Sequence, residues 1–301
     1  MKSLAKKQTN KGLNFTTKNN NYTMEDLKCC VTSCEKPLDQ AYWDAQYKAK
    51  ATGWDLGTVS PPIQALIDTI EDKNSAILIP GGGNSYEAEY LLQQGFTNIT
   101  VIDIAPTLIE VLQQKFVNHP NVKIILGDFF EHQGQYDWII EQTFFCALPP
   151  TMRPKYVWKM HQLLAPKGKL VGLLFNREFE QGPPFGGNKV EYINLFSGAF
   201  TIEKMEVCTN SVAPRANTEL GIEFKKNTET KVHLYEFEGI TCSGCKANVS
   251  EKLASLDTVL NVNMNSNFSE VVITSTQEVA LKKLQDTVSF DEKYKIIKAN
   301  Y

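Results

Sequence analysis

Three glycines set between two short apolar runs constrain this chain more than any other feature. Ile77–Ile79 with Pro80 reads as a buried strand, Gly81-Gly82-Gly83 as a tight turn, and Tyr86–Gln94 as a helix. The next apolar run, Ile99–Ile104, is a second strand that carries Asp103 twenty residues after Gly83. The result is a β-α-β unit with an open turn and a carboxylate placed to accept hydrogen bonds from ribose hydroxyls. An adenosine-containing ligand is the first expectation; a turn that serves only the fold is the other reading of the same glycines.

The missing third glycine narrows the ligand. A dinucleotide site requires Gly-x-Gly-x-x-Gly, because the last glycine lets the helix pack closely and seats a pyrophosphate at its N-terminus. Tyr86 stands at that position, and no Gly-x-x-x-x-Gly-Lys-Ser/Thr loop exists, which argues against ATP and GTP. A ligand with ribose but no phosphates, S-adenosylmethionine, fits better.

At 301 residues the chain has room for two domains, and no apolar run approaches the ~20 residues of a membrane span. Residues 1–35 read as a basic, Asn- and Thr-rich disordered tail rather than a secretory signal. The net charge of −3 gives no electrostatic case for nucleic acid. Seven scattered cysteines suggest free thiols in a reducing, cytoplasmic setting, including Cys29, Cys30 and Cys34, for which a further soft-metal site is the other reading. Neither a membrane nor a nucleic-acid partner is expected.

Beyond the glycine turn, strands and helices alternate. The spacing predicts helices over Leu38–Lys50, Pro61–Ile70, Pro106–Phe116, Arg153–Leu164 and Val190–Phe196, and strands over Val122–Leu126, Trp138–Glu141 and Lys169–Phe175. Phe200–Val207 and Leu220–Phe224 read as an antiparallel pair. This rhythm implies an α/β domain with a mostly parallel sheet. A polar break over 227–230 precedes a second unit, 231–301, whose pattern is β-α-β-β-α-β, the split unit of ferredoxin-like α+β folds. Its helices are expected over Ala247–Ser255 and Gln277–Asp286.

Residues 36–226 carry a set of separated motifs in order. They are Tyr42-Trp43-Asp44, Thr52-Gly53-Trp54-Asp55-Leu56-Gly57, Pro61-Pro62, Ile79-Pro80-Gly81-Gly82-Gly83 and Ile102-Asp103-Ile104-Ala105. Gly127-Asp128-Phe129-Phe130, the run from Glu141 to Pro149, Arg153-Pro154, Leu163 to Gly168, Gly182-Pro183-Pro184-Phe185 and Arg215 follow. Together they resemble the thiopurine S-methyltransferase family, in particular its halide and thiol methyltransferase branch. The resemblance implies a Rossmann-like class I methyltransferase fold and a small-molecule acceptor that is a soft nucleophile: a thiol, sulfide, halide or metalloid species.

It also assigns residues. Gly81 and Gly83 would let the backbone approach the methionine moiety, Asp103 would hold the ribose, and Asp128 with Phe129 would border the adenine. Glu141 falls among the implied cofactor contacts. Trp43, Tyr47 and Trp54 would form an aromatic lid, with Trp54 beside the reaction and Tyr47 departing from the Trp common in the plant branch. Arg153 and Arg215 are the implied guanidinium groups favouring a thiolate. Local alternatives stand beside these roles: Asp128 as a loop cap, the aromatics as helix packing, Arg153 as an ion-pair residue, and Cys146 as either near the acceptor or a small buried hydrophobe. His119, His132 and His161 read as structural.

In the second unit, Cys242-Ser243-Gly244-Cys245 lies between a strand and a helix, so two thiols converge on one soft ion. This resembles the heavy-metal-associated domain of copper chaperones and metal-transport ATPases, with Ile240 where Met is usual, and implies Cu(I) and metal-transfer partner proteins. Zn(II) prefers four ligands. A thioredoxin-like redox pair and a non-binding copy are the rival readings, and Tyr294 falls near the expected ion. Two alternatives for the whole chain remain: a metal-binding or sensing protein on a non-catalytic methyltransferase scaffold, or a methyltransferase for a larger acceptor.

Overall fold

Strands that mostly alternate with helices build a seven-stranded sheet in the first two thirds of the chain. The structure, a computed structural model, describes residues 37–299; the basic tail with Cys29, Cys30 and Cys34 lies outside them. Helix α1 (Gln40–Lys48) precedes α2 (Pro61–Asp68), whose prolines occupy the first turn, where their missing amide hydrogens leave no bond unmade. There follow β1 (Ile77–Pro80), α3 (Tyr86–Gln93), β2 (Ile99–Asp103), α4 (Pro106–Lys115), β3 (Val122–Leu126) and β4 (Tyr136–Gln142). Then come α5 (Arg153–Leu163), β5 (Leu164–Phe175), α6 (Lys189–Phe196), β6 (Phe200–Val207) and β7 (Glu219–Lys226).

The strand order is β3-β2-β1-β4-β5-β7-β6. The first five strands pair in parallel, and β7 runs antiparallel between β5 and β6. Every residue of β1 and β2 is buried, as parallel strands covered on both faces require. One core packs α2, α3 and α4 through Ile63, Ile67, Leu91, Leu108 and Leu112. The other packs α5 and α6 through Tyr156, Met160, Tyr192 and Phe196. Among the described residues no helix is long and apolar enough to cross a membrane.

The C-terminal unit is β8 (Lys231–Glu238), α7 (Ser243–Ala254), β9 (Val259–Met264), β10 (Glu270–Ser275), α8 (Leu281–Val288) and β11 (Lys295–Lys298). Its four strands are antiparallel in the order β11-β8-β10-β9. Two helices differ from the sequence reading. Helix α7 begins at Ser243 because the Cys242 sulfur accepts from the Cys245 amide and caps it. Helix α8 begins later because the Ser275 hydroxyl donates to the Gln277 carbonyl and closes a turn first.

Both faces of this small sheet are covered. Tyr235, Phe237, Val271 and Ile273 point toward α7 and α8, while the alternate residues Val232, Leu234 and Val272 join the core around α5 and α6. Polar bonds line the seam: Asn261 donates to the Asn194 carbonyl at 2.7 Å, Asn263 to Leu195 at 3.0 Å, and Gln162 to Val232 at 3.3 Å. The 227–230 segment is tied in place, with the Asn227 amide on the Ala199 carbonyl and the Thr230 hydroxyl on that of Gly198. Residues 38–299 belong to one compact unit.

Candidate functional site

The C-terminal ends of β1, β2 and β4 open into a cavity of about 730 Å³, within the ~300–1,000 Å³ typical of small-ligand sites. Its floor is the glycine turn. Gly81 (φ +58°) and Gly83 (φ +50°) adopt a left-handed conformation that side chains disfavour, and a Cβ on Gly81 would collide with the Phe144 ring. The side of Gly83 opens into the cavity, with the Tyr47 hydroxyl 3.8 Å from where a Cβ would stand. Asp103 sits at the wall, 8% exposed, with one carboxylate oxygen accepting from the Ala105 amide at 2.9 Å. Burial pushes its pKa up, so hydroxyl donors from a ligand would stabilise the charge.

An aromatic lid crosses this floor. Trp43 and Tyr47 on α1 meet Trp54 edge to face, with centroids 5.8 and 6.0 Å apart. All three line the cavity. Asp44 fixes the helix that carries Trp43 and Tyr47: its carboxylate accepts from the Thr107 amide at 2.8 Å and pairs with Lys48, and that Lys48 bond leads in holding its pKa at about 2. Asp55 ties the following loop to the glycine turn by accepting from the Asn84 side chain. Neither carboxylate stood out in the sequence as a positioning group. Asp128 lines the cavity and also caps its loop, accepting from the Phe130 amide at 2.8 Å. Phe129 packs beside it against Phe144, 5.0 Å between centroids.

Two expected site residues face elsewhere. Glu141 is fully buried outside the cavity wall, accepting from the Phe144 and Phe145 amides and, at 2.6 Å, from the Tyr156 hydroxyl. Its carboxylate shapes the 142–147 turn and has no free face for a cofactor; burial raises its pKa to about 7. Arg153 lies at the start of α5 on the side turned toward α6, where it donates to the Glu191 carboxylate and the Gly186 carbonyl. It does not line the cavity, so the ion-pair reading of this residue prevails.

Arg215 does line it. One guanidinium nitrogen donates to the Trp54 carbonyl at 2.9 Å, another pairs with Glu219 at 3.5 Å, and the group lies 5.8 Å from the Phe175 ring. Cys146, Leu148, Met152, Phe175, Phe179 and Arg177 line the same cavity. Arg177 escaped the sequence reading. Its signal was the alternation Phe175-x-Arg177-x-Phe179 directly after a buried strand. The Cys146 thiol is buried and donates to the Thr143 carbonyl, and burial pushes its pKa up, which disfavours the thiolate. His132 bonds Tyr136, His161 bonds the Asn227 carbonyl, and His119 packs on Phe116; none lines the cavity.

In the C-terminal unit, the sulfurs of exposed Cys242, the cap of α7, and half-buried Cys245 in its first turn are 2.8 Å apart and unbridged. The hydrogen bond from Cys242, with Tyr294 adding a second, lowers the Cys245 pKa to about 7. Among the described residues no group of three or more His, Cys, Asp or Glu side chains converges here. Two soft donors with an open approach suit a low-coordinate soft ion and lack the four ligands of a structural zinc.

Comparison with known proteins agrees with the fold. Residues 38–235 match the thiopurine S-methyltransferase (TPMT) family, and residues 235–294 match the heavy-metal-associated domain. A probable thiol methyltransferase 2 from Arabidopsis thaliana is 32% identical over 194 residues, spanning 62% of this chain and 85% of that protein. Thiocyanate methyltransferase 1 of the same plant is 26% identical, spanning 52% and 70%. The Burkholderia thailandensis 1,6-didemethyltoxoflavin-N1-methyltransferase, solved with S-adenosylhomocysteine, shares the fold at a TM-score of 0.51 with 19% identity, covering 62% of this chain and 87% of that one. The chain belongs to the thiopurine S-methyltransferase family, as an S-adenosylmethionine-dependent methyltransferase with a heavy-metal-associated domain at its C-terminus.

Proposed function

We propose that the acceptor is a small soft nucleophile (a thiol, sulfide, thiocyanate, halide or metalloid anion) bound between the lid and the Phe175–Arg215 wall. The observation that supports this is the character of that wall: aromatic and aliphatic side chains, two guanidinium groups and no histidine. A wall without a neutral base suits an acceptor that arrives already ionised. A thiol loses its proton near pH ~8.5, and a nearby guanidinium favours the thiolate.

S-adenosylmethionine, when bound, supplies a methyl group on a sulfonium centre. In this reading Asp103 accepts hydrogen bonds from the ribose, while Asp128 and Phe129 border the base. Gly81 and Gly83 give the ligand close backbone approach. Trp43, Tyr47 and Trp54 exclude water and face the cation with their rings. Transfer of that methyl to an acceptor lone pair, with the sulfonium–methyl bond electrons passing to sulfur, would leave alignment and desolvation by these side chains to carry most of the rate. The methyltransferase spans residues 36–226 and the metal domain 231–301.

The C-terminal domain is proposed to bind one Cu(I) at Cys242 and Cys245 and to exchange it with metal-transfer partner proteins. Replacing both cysteines by serine is expected to reduce Cu(I) retention against bicinchoninate to background. The acceptor reading is tested by S-adenosylhomocysteine formation with sulfide, small thiols, iodide, thiocyanate and selenite. Product with one class ranks the acceptors; silence across the panel with S-adenosylmethionine bound refutes the small soft acceptor.

A further inference from the structure

We infer that Arg177 is the acceptor-anion residue of this cavity: its guanidinium, with that of Arg215, selects acceptors carrying negative charge at the reacting end. The inference rests on the proposed acceptor class and deepens it.

Among the described residues Arg177 and Arg215 are the two cations on the cavity wall. They are not equivalent. Arg215 is committed, with Glu219 at 3.5 Å and the Trp54 carbonyl at 2.9 Å. Among the described residues Arg177 has no carboxylate within ion-pair distance, and its guanidinium makes one hydrogen bond, from Nε to the Glu178 carbonyl at 3.5 Å. The guanidinium lies 4.6 Å from the Phe179 ring, Phe179 meets Phe175 edge to face at 5.1 Å, and Phe175 faces Arg215. Among the described residues, then, a charge whose terminal nitrogens meet no protein acceptor stands beside an apolar aromatic pair. That combination attracts a polarisable anion and disfavours a strongly hydrated one.

An arginine stacked on a ring at a protein surface is common, and what sets Arg177 apart is how firmly its backbone is held. The Gly187 amide donates to the Arg177 carbonyl at 3.0 Å, and Gly186 lies so close that a Cβ there would sit 2.1 Å from the same oxygen. Arg153 secures that turn, donating to the Gly186 carbonyl and pairing with Glu191 on α6. The Phe185 amide donates to the Cys146 carbonyl at 2.7 Å, tying the turn to the segment after β4. Arg153 thus acts as a positioning residue for Arg177. The carboxylates of the cavity (Asp39, Asp55, Glu87, Asp103 and Asp128) lie on segments before residue 130, away from the Phe175–Phe179 strip in sequence.

The test uses the full chain loaded with S-adenosylhomocysteine, and thiocyanate as the probe because it is an anion at every working pH. Binding is read from tryptophan fluorescence, since Trp43 and Trp54 line the site. Arg177→Gln is expected to weaken thiocyanate ~10- to 100-fold, the range for one charge-assisted contact, while S-adenosylhomocysteine affinity stays put. Arg177→Lys should recover part of the loss. In turnover of a thiol, Arg177→Gln should raise KM and move the pH of half-maximal kcat/KM upward. Unchanged thiocyanate affinity in Arg177→Gln overturns the inference, as does a parallel fall in S-adenosylhomocysteine affinity, which would place Arg177 on the cofactor. If the wild type binds thiocyanate through Arg177 but turns over no acceptor of the panel, the anion site stands and the acceptor reading falls. If it methylates thiols but binds no thiocyanate, the reverse holds.

Discussion

The dithiol loop draws on four consecutive residues, Cys242 to Cys245, and one cap hydrogen bond, whereas the cavity draws its wall from segments spread between residues 38 and 218. The loop can present its sulfurs with little help, because a helix N-terminus supplies the geometry. The cavity exists only when β1, β2, β4 and β5 lie in register and two separate loops are braced against each other. One consequence is that substitutions far from the cavity should reach it, while the dithiol should be indifferent to nearly everything but its own loop. The two sites are nonetheless built on one body. β8 begins against Gln162 near the end of α5, and Glu270, paired with Glu236 late in β8, meets Lys155 near the start of that helix at 3.7 Å. The loop that follows β8 therefore projects toward the same end of α5 as Met152, a cavity residue.

The sharpest separation of the two sites comes from Asp103→Ala. Loss of the ribose acceptor should weaken S-adenosylmethionine ~100-fold or more by calorimetry, with Cu(I) retention untouched. A loss under ~10-fold would mean that the ribose is held elsewhere. Next in size is Arg153→Met, which strands Glu191 and frees the Gly186 turn. Breaking a buried pair from one side costs about 3–5 kcal/mol, less here because Glu191 is partly solvated. Denaturant unfolding should show this loss and calorimetry an unchanged cofactor affinity; weakened cofactor binding would restore Arg153 to the cavity.

His161, at the seam between the halves, gives a pH test. Burial, with Lys226 and His233 nearby, lowers its pKa from 6.5 to about 4. Above pH 6.5 the ring is neutral in both states and contributes nothing. As pH falls from 6.5 toward 4 the unfolded chain takes up a proton that the folded chain resists, so stability drops, by at most about 3 kcal/mol. Wild-type Tm should fall over this window more steeply than that of His161→Gln; parallel curves would remove the histidine from the account. Smallest is Val272→Ala, about 2 kcal/mol from the shared core. Its effect should appear in a single unfolding transition for both halves, and two separate transitions would break the one-body description.

The features legible in the sequence were those written locally. The glycine turn, Asp103 and the Cys-x-x-Cys loop each depend on spacing within one β-α-β or strand-loop-helix unit. Arg153 was misplaced because a rotation of roughly 100° per residue decides which neighbour a helix-start side chain faces, and only the packing of α6 fixes that. Glu141 was misplaced because its partners, two backbone amides and Tyr156, leave no mark in the sequence. The seam was present in outline: β8 reads Val232-His-Leu234-Tyr235-Glu-Phe237, apolar on both faces, and a strand with two apolar faces needs two partners. Its second partner, α5, lies seventy residues earlier, beyond any local pattern.

The central claim is that adenosine and acceptor occupy one cavity, with Asp103 at one end and the arginine pair at the other. The direct measurement is a crystal structure of the full chain with S-adenosylhomocysteine and thiocyanate. The account predicts ribose hydroxyls on the Asp103 carboxylate, and the thiocyanate between Arg177 and Arg215 with its sulfur toward the cofactor's sulfur. Adenosine away from Asp103, or the anion lodged at Arg153, would contradict it.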